Sequence, residues 1–190
     1  MAQSINTIRL LHQSLQLSIK EGAFCIDATA GKGHDTAFLA ELVGDAGHVL
    51  ALDIQPAAVA ATEALLQQKN LQQRVRVVLD GHEHLAHYAE AGTVDCITFN
   101  LGYLPGGDHN IATQANTTIA ALEQGLDLLK PLGIISLAIY HGGDTGFAER
   151  DAVLQWLKQL DSKKYTVLVT DFYNRPNHPP LAVQSIKEKR

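Results

Sequence analysis

The chain has 190 residues, 46% hydrophobic and 18% charged, with a formal net charge of −5. That length fits one domain of ordinary size, residues 1–190, able to bury its own core. No apolar run approaches the ~20 residues that span a bilayer, and the acidic balance argues against a general nucleic-acid coating protein. The charge is uneven, however. From Arg150 onward eight Lys or Arg stand against four Asp or Glu, so a local basic patch is available to phosphates. The first residues carry no basic segment followed by an apolar one, so no secretory signal is expected and the cytoplasm is the default. Cys25 and Cys96 lie in apolar runs and read as reduced core thiols.

In chain order, Ile5, Ile8, Leu11, Leu15 and Ile19 recur at helical spacing, with Ser4 as an N-cap candidate. The N-terminal helix, about residues 4–20, is expected to pack on the domain. Phe24 to Ala28 reads as a buried strand and Thr36 to Val43 as a helix. A second strand covers Val49 to Ile54. The helix that follows, Pro56 to Lys69, has proline in its first turn. Val75 to Leu79 is a third strand, with a weaker helix over Glu83 to Ala91. Val94 to Phe99 is a fourth strand. A long helix runs from Thr113 to Leu129 and ends at Pro131-Leu-Gly133. Ile134 to Tyr140 is the fifth strand, and Glu149 to Leu160 a helix with Val153, Leu154 and Leu157 on one face. Tyr165 to Tyr173 and Leu181 to Ile186 are two closing strands with no room for a helix between them.

Strands alternating with helices imply parallel pairing through right-handed crossovers. The short Asn174–Pro180 connection instead suits a hairpin, so one of the last two strands runs antiparallel. An α/β fold with a mostly parallel seven-stranded sheet, a C-terminal antiparallel hairpin and helices on both faces is the Rossmann-like class I methyltransferase layout.

Ligands of such sheets bind beyond the carboxyl ends of the strands. The first end is Asp27-Ala-Thr-Ala-Gly-Lys-Gly-His-Asp-Thr36. Gly31 and Gly33 permit a tight turn and close backbone approach. Asp27 is placed to accept a hydrogen bond from a ligand ammonium group. The helix start near Thr36 offers N–H groups to a carboxylate, and Asp35 reads equally as its cap. A dinucleotide fingerprint needs a third glycine where Thr36 stands. A P-loop needs Ser or Thr after the lysine, where Gly33 follows Lys32. A plain turn stays open, because Gly-x-Gly alone is weak. Asp53 tips the balance: it ends strand two, twenty residues after Gly33, where a carboxylate holds ribose hydroxyls. Strand three delivers Asp80-Gly-His-Glu83, so Gly81 and His82 fall at an adenine-contact position, although His82 also reads as an ordinary loop histidine. The expected S-adenosylmethionine contacts are therefore Asp27, Gly31, Lys32, Gly33, Asp35, Thr36, Asp53, Gln55, Gly81, His82, Asn100 and Leu101.

Strand four ends in Asn100-Leu-Gly-Tyr-Leu-Pro-Gly-Gly-Asp108. Asn100 and Tyr103 have the spacing of the Asn/Asp-Pro-Pro-Tyr element of amine methyltransferases. A nitrogen nucleophile must aim its lone pair at the methyl group. An Asn carbonyl accepts its N–H and orients it, and an aromatic face favours the developing cation. Leu101 and Gly102 replace the two prolines. Candidate proton acceptors are Asp108, His109 and His141, so Asn100, Tyr103, Asp108 and His141 form the catalytic set. Gly106, Gly107, His109, Tyr140 and Asn174 are substrate-side candidates, because the Tyr140-His-Gly-Gly loop and the Tyr173–Pro180 loop both suit a substrate entrance. His82, His84 and His87 lack a further close ligand set, and no metal is expected.

The Asp27–Thr36 loop and the Phe99-Asn-Leu-Gly-Tyr-Leu-Pro-Gly-Gly-Asp108 string together resemble the bacterial tRNA 5-aminomethyl-2-thiouridine methyltransferase family, formerly named as rRNA methylases. The resemblance runs from about Gly22 to Lys187 and includes Pro179-Pro180 followed by Ile186-Lys187. It implies S-adenosylmethionine as donor and the aminomethyl nitrogen of the wobble uridine in the tRNA anticodon loop as acceptor. It also implies a homodimer. Lys32 departs from the Asn expected in the family's Gly-Asn-Gly, and Gly143 from a second His after Tyr140-His-Gly. The residues alone leave three readings: tRNA amine methylation, methylation of a small-molecule amine or of rRNA, and a non-catalytic RNA-binding domain.

Overall fold

The computed structural model describes residues 4–102, 113–140, 143–176 and 179–189. Seven strands form one sheet: β1 (Phe24–Asp27), β2 (His48–Asp53), β3 (Val75–Leu79), β4 (Val94–Leu101), β5 (Leu129–Ile139), β6 (Tyr165–Thr170) and β7 (Leu181–Lys187). Their order is β3-β2-β1-β4-β5-β7-β6. The first five pair in parallel, and β7 runs antiparallel to both β5 and β6. The expected class I layout is therefore present, closing hairpin included.

Parallel strands are buried on both faces, and the side chains alternate accordingly. Ile26, Leu50, Leu52, Ile97 and Phe99 point to one layer. Cys25, Val49 and Cys96 point to the other. Helices α4 (Ala115–Leu128) and α5 (Gly143–Lys158) supply Ala121, Leu122, Leu126, Val153 and Leu157 to the first layer. Helices α1 (Thr7–Ser18), α2 (His34–Val43) and α3 (Pro56–Gln68) cover the second through Leu15, Leu39 and Leu66. Cys25 and Cys96 are register partners, buried and free of any disulfide. Gly125 lets α4 lie close to the sheet, since a Cβ there would stand 3.1 Å from the Cδ1 atoms of both Ile97 and Ile135.

Several boundaries differ from expectation for identifiable reasons. Asn6, not Ser4, caps α1: its side chain accepts the Arg9 N–H at 2.9 Å. Helix α2 starts two residues earlier than expected, directly after Gly33 in the left-handed region. The segment expected as a weak helix over Glu83 to Ala91 is a short 3₁₀ turn, His82–His87, kinked at His84. Strand β5 begins at Leu129 rather than Ile134. Val94 pairs with Leu129 and Cys96 with Ile134, so the Pro131-Leu-Gly133 break is absorbed as a bulge opposite Asp95. No described helix is long and apolar enough to cross a membrane.

Candidate active site

At the carboxyl ends of β1, β2 and β4 lies a cleft of about 580 Å³, within the usual ~300–1,000 Å³ of a small-molecule site. Its floor is the turn after β1. There Gly31 and Gly33 take φ of 56° and 79°, values that L side chains rarely adopt. A Cβ at Gly33 would also stand 2.9 Å from Thr62 Cα. Asp53 ties this turn to β2: one carboxylate oxygen accepts the Gly31 N–H and the other the Gln55 N–H, each at 2.9 Å. Asp53 faces the cleft, and each oxygen keeps acceptor capacity beyond its one backbone bond.

The start of α2 opens on the same space through His34 and Asp35. No described side chain caps it, and the first N–H groups of a helix have no intrahelical partner. This corrects the reading of Asp35 as a cap. Its carboxylate turns away from the helix end: Oδ2 accepts from Asn100 Nδ2 at 2.6 Å, and Oδ1 meets His12 Nε2 at 2.8 Å. Burial opposes its charge, yet the His12 and Asn100 hydrogen bonds outweigh burial and hold its carboxyl below the usual range.

Asp27 also departs from expectation. It is fully buried beneath the turn and does not line the cleft. Its carboxyl accepts the Thr36 hydroxyl at 2.5 Å and the Thr29 N–H at 3.2 Å. Strand β1 ends in the layer below the loop, so Asp27 organises the loop from behind. Burial first, then the Asp35 charge, raises its pKa to about 7. Thr36 is buried with it. Gly33 shapes the turn without lining the cleft, and Gly81 donates its N–H to Asp80 at 2.8 Å. Leu101 is a further correction: its side chain is wholly buried in the core, because alternation along β4 turns it away from the face that Asn100 presents.

His82 sits at the cleft wall with its ring edge-on to Phe99, 6.0 Å between centroids. Burial lowers its pKa from 6.5, so the ring is neutral at pH 7, and Nε2 is buried without a hydrogen-bond partner among the described residues. The other two histidines of that stretch, His84 and His87, stack on each other instead. Lys32, exposed, and Gln55 stand at the rim. Tyr140 lines the opposite side, its phenol pKa raised by burial and then by Asp35.

Asn100 is held by two hydrogen bonds and lines the cleft. Its backbone N–H donates to Thr29 Oγ1 at 2.7 Å, and its side-chain nitrogen donates to Asp35. A carboxylate only accepts, so the amide nitrogen must face Asp35 and the carbonyl oxygen is left for the cleft. Asn174, in contrast, is exposed and does not line the cleft. The reason is topological: the β6–β7 connection belongs to the far edge of the sheet, with β4, β5 and β7 between β6 and β1. Tyr103, Gly106, Gly107, Asp108, His109 and His141 lie outside the described residues.

The sequence reading passed over Ile8, His12, Thr113, Gln114 and Thr117. Ile8 lines the cleft and His12 reaches Asp35, both from α1. Their i, i+4 spacing on a helix was the one local signal. Thr113 accepts the Gly102 N–H at 2.9 Å and donates to Glu149 at 2.8 Å, and its own N–H donates to the Gly102 carbonyl at 3.0 Å. The two ends of the segment between Gly102 and Thr113 are thereby clasped together.

Comparison with known proteins fits this geometry. The family described as Putative rRNA methylase matches residues 49–185. A chloroplastic tRNA (mnm(5)s(2)U34)-methyltransferase of Arabidopsis thaliana is 34% identical over 90% of the chain, which spans 65% of that relative's length. A protein described as an rRNA-methylase from Clostridium thermocellum superposes with a TM-score of 0.94 at 46% identity, covering 98% of this chain and 100% of that one. A protein described as a methyltransferase from Streptococcus mutans, solved in complex with SAH, superposes with a TM-score of 0.87 at 34% identity, covering 97% of this chain and 99% of that one. The chain belongs to the Putative rRNA methylase family, a family of S-adenosylmethionine-dependent methyltransferases.

Proposed function

We propose that this chain transfers a methyl group from S-adenosylmethionine to the aminomethyl nitrogen of 5-aminomethyl-2-(thio)uridine at the wobble position of a tRNA. The observation that carries the reading is Asn100. Its amide is oriented by Asp35 so that a carbonyl oxygen faces a cleft whose far wall carries the nucleoside-type groups. The Arabidopsis relative, whose name specifies a tRNA (mnm(5)s(2)U34)-methyltransferase, supplies the substrate class.

The residues present fit the donor. The unpartnered Nε2 of His82 suits an adenine edge. Asp53 keeps lone pairs for ribose hydroxyls, and the uncapped start of α2 suits the carboxylate of the methionine moiety. Gly31 and Lys32 complete the floor and rim. When bound, the donor supplies a methyl group on a positively charged sulfonium. Transfer breaks the carbon–sulfur bond, whose electron pair stays on sulfur, and forms a carbon–nitrogen bond from the amine lone pair. The secondary ammonium so formed sheds its proton to solvent.

The protein's contribution is placement. Asn100 Oδ1 accepts an N–H of the incoming amine and so points its lone pair into the cleft. Holding the reacting atoms ~3–3.5 Å apart supplies much of the rate enhancement without covalent help from the protein. Tyr140 walls the acceptor side.

The test is incubation with methyl-labelled donor and tRNA carrying 5-aminomethyl-2-thiouridine, followed by nucleoside mass spectrometry. One added methyl on that nucleoside is expected, and its absence sinks the assignment. A second reading, methylation of a small-molecule amine, draws on the net charge of −5. Tight, salt-sensitive tRNA binding counts against it.

A further inference from the structure

We propose that His12, on the N-terminal helix, is a positioning residue for methyl transfer: by holding Asp35 it fixes the Asn100 rotamer that presents Oδ1 to the acceptor nitrogen. This rests on the reading of Asn100 given above and extends it to a residue remote in the chain. The geometry is a three-residue relay. His12 Nε2 stands 2.8 Å from Asp35 Oδ1, and Asn100 Nδ2 stands 2.6 Å from Asp35 Oδ2. The two oxygens of one carboxylate thus bridge helix α1 to the end of β4. Both ends of the relay are themselves anchored. The His12 ring stacks on Phe38 of α2, 3.7 Å between centroids and 4° from parallel. The Asn100 backbone is tied to Thr29. The carboxylate between them is held at both oxygens, one by each partner.

Without the His12 contact, Asp35 keeps one strong partner and gains rotamer freedom. Asn100 then loses the fixed acceptor that decides which way its amide points. A misplacement of about 1 Å at such a position costs on the order of 10²-fold in rate, so a softened rotamer should cost roughly tenfold.

Three variants separate this role from simple packing. His12→Phe keeps the ring stacked on Phe38 and removes the hydrogen bond. His12→Gln loses the stacking and keeps a donor. Asp35→Asn keeps the shape and lets a donor face Asn100. With methyl-labelled donor and tRNA carrying 5-aminomethyl-2-thiouridine, His12→Phe is expected to lower kcat about tenfold. KM for tRNA and donor affinity should stay within about twofold. His12→Gln should recover most of the loss, and Asp35→Asn should lose at least as much as His12→Phe. In an Asn100→Ala background His12→Phe should cost nothing further, because the two act as one unit. A wild-type kcat in His12→Phe alongside a large loss in Asn100→Ala overturns the inference and leaves the proposed function standing. Losses that multiply in the double variant overturn it as well. Full turnover in Asn100→Ala overturns the reading of Asn100 itself, and this relay with it.

Discussion

The two halves of the cleft hold their polar groups by different means. On the β1–β2 side the anchors are backbone: Asp53 is fixed by the Gly31 and Gln55 N–H groups, and the turn is fixed by two glycines at positive φ. On the β4 side they are side chains from distant segments: Asn100 is held by Thr29 and by Asp35, which His12 supports in turn. A site that binds one invariant cofactor is well served by backbone geometry, which few substitutions disturb. A site that must aim a nucleophile is served by a network that sets one rotamer. The lesson is that donor binding and turnover should be separable by mutation.

The largest effect is expected on the β4 side. Asn100→Ala should lower kcat about 10²-fold or more, equivalent to ~2.7 kcal/mol, with donor affinity nearly unchanged. Single-turnover rates alongside calorimetric titration of the donor check this. Equal losses in both would erase the distinction between the halves. Next comes Asp53→Ala. Lost hydrogen bonds to a charged acceptor are worth ~1.5–3 kcal/mol, so donor affinity should fall roughly 10–100-fold. Turnover at saturating donor should hold within a few-fold.

A smaller effect is expected from Gly33→Ala. A left-handed backbone costs a non-glycine residue about 1–2 kcal/mol, and the Thr62 backbone stands 2.9 Å from the added Cβ. Thermal unfolding should shift down by roughly 2–4 °C per kcal/mol, and donor binding should weaken with it. An unshifted melting temperature would show that the turn is not strained in this way.

An effect on stability alone, with no expected change in turnover, is a pH slope from Asp27. Its folded pKa is raised from 3.8 to about 7, so the folded state binds the proton more tightly than the unfolded one. Stability from this group is therefore present at low pH and lost as pH rises from about 4 towards 7. Asp27→Asn, which never ionises, should gain stability relative to the parent protein between pH 5 and pH 8. The gain should be on the order of a few kcal/mol at most. Denaturant melts at both pH values read it directly. A stability difference that is flat with pH would place the buried proton elsewhere.

The contrast between the halves also explains what could be read in advance. The strand–helix alternation and the closing hairpin are periodic or local features, and they appear where expected; Gly31 and Asp53 line one cleft, with Gly33 shaping the turn beneath it. Asn100 stands next to last in a strand that reaches the binding edge of the sheet, and it lines the cleft. The errors came where tertiary partners decide. Asp35 has the residue type and position of a cap, but His12 and Asn100 capture its carboxylate. Asp27 ends β1 as a ligand-binding residue would, but the loop folds over it. Asn174 lies in a polar turn, yet sheet order carries that turn to the far edge. His12 was missed because its partner stands 23 residues away in sequence, and no spacing rule links the two.

The most direct test of this account is a crystal structure of the protein with S-adenosylhomocysteine. The account predicts ribose hydroxyls within hydrogen-bond distance of Asp53, adenine beside His82 Nε2, the carboxylate at the start of α2, and sulfur on the Asn100 side. A nucleoside bound outside this cleft, or turned so that adenine lies against Asn100, would contradict it.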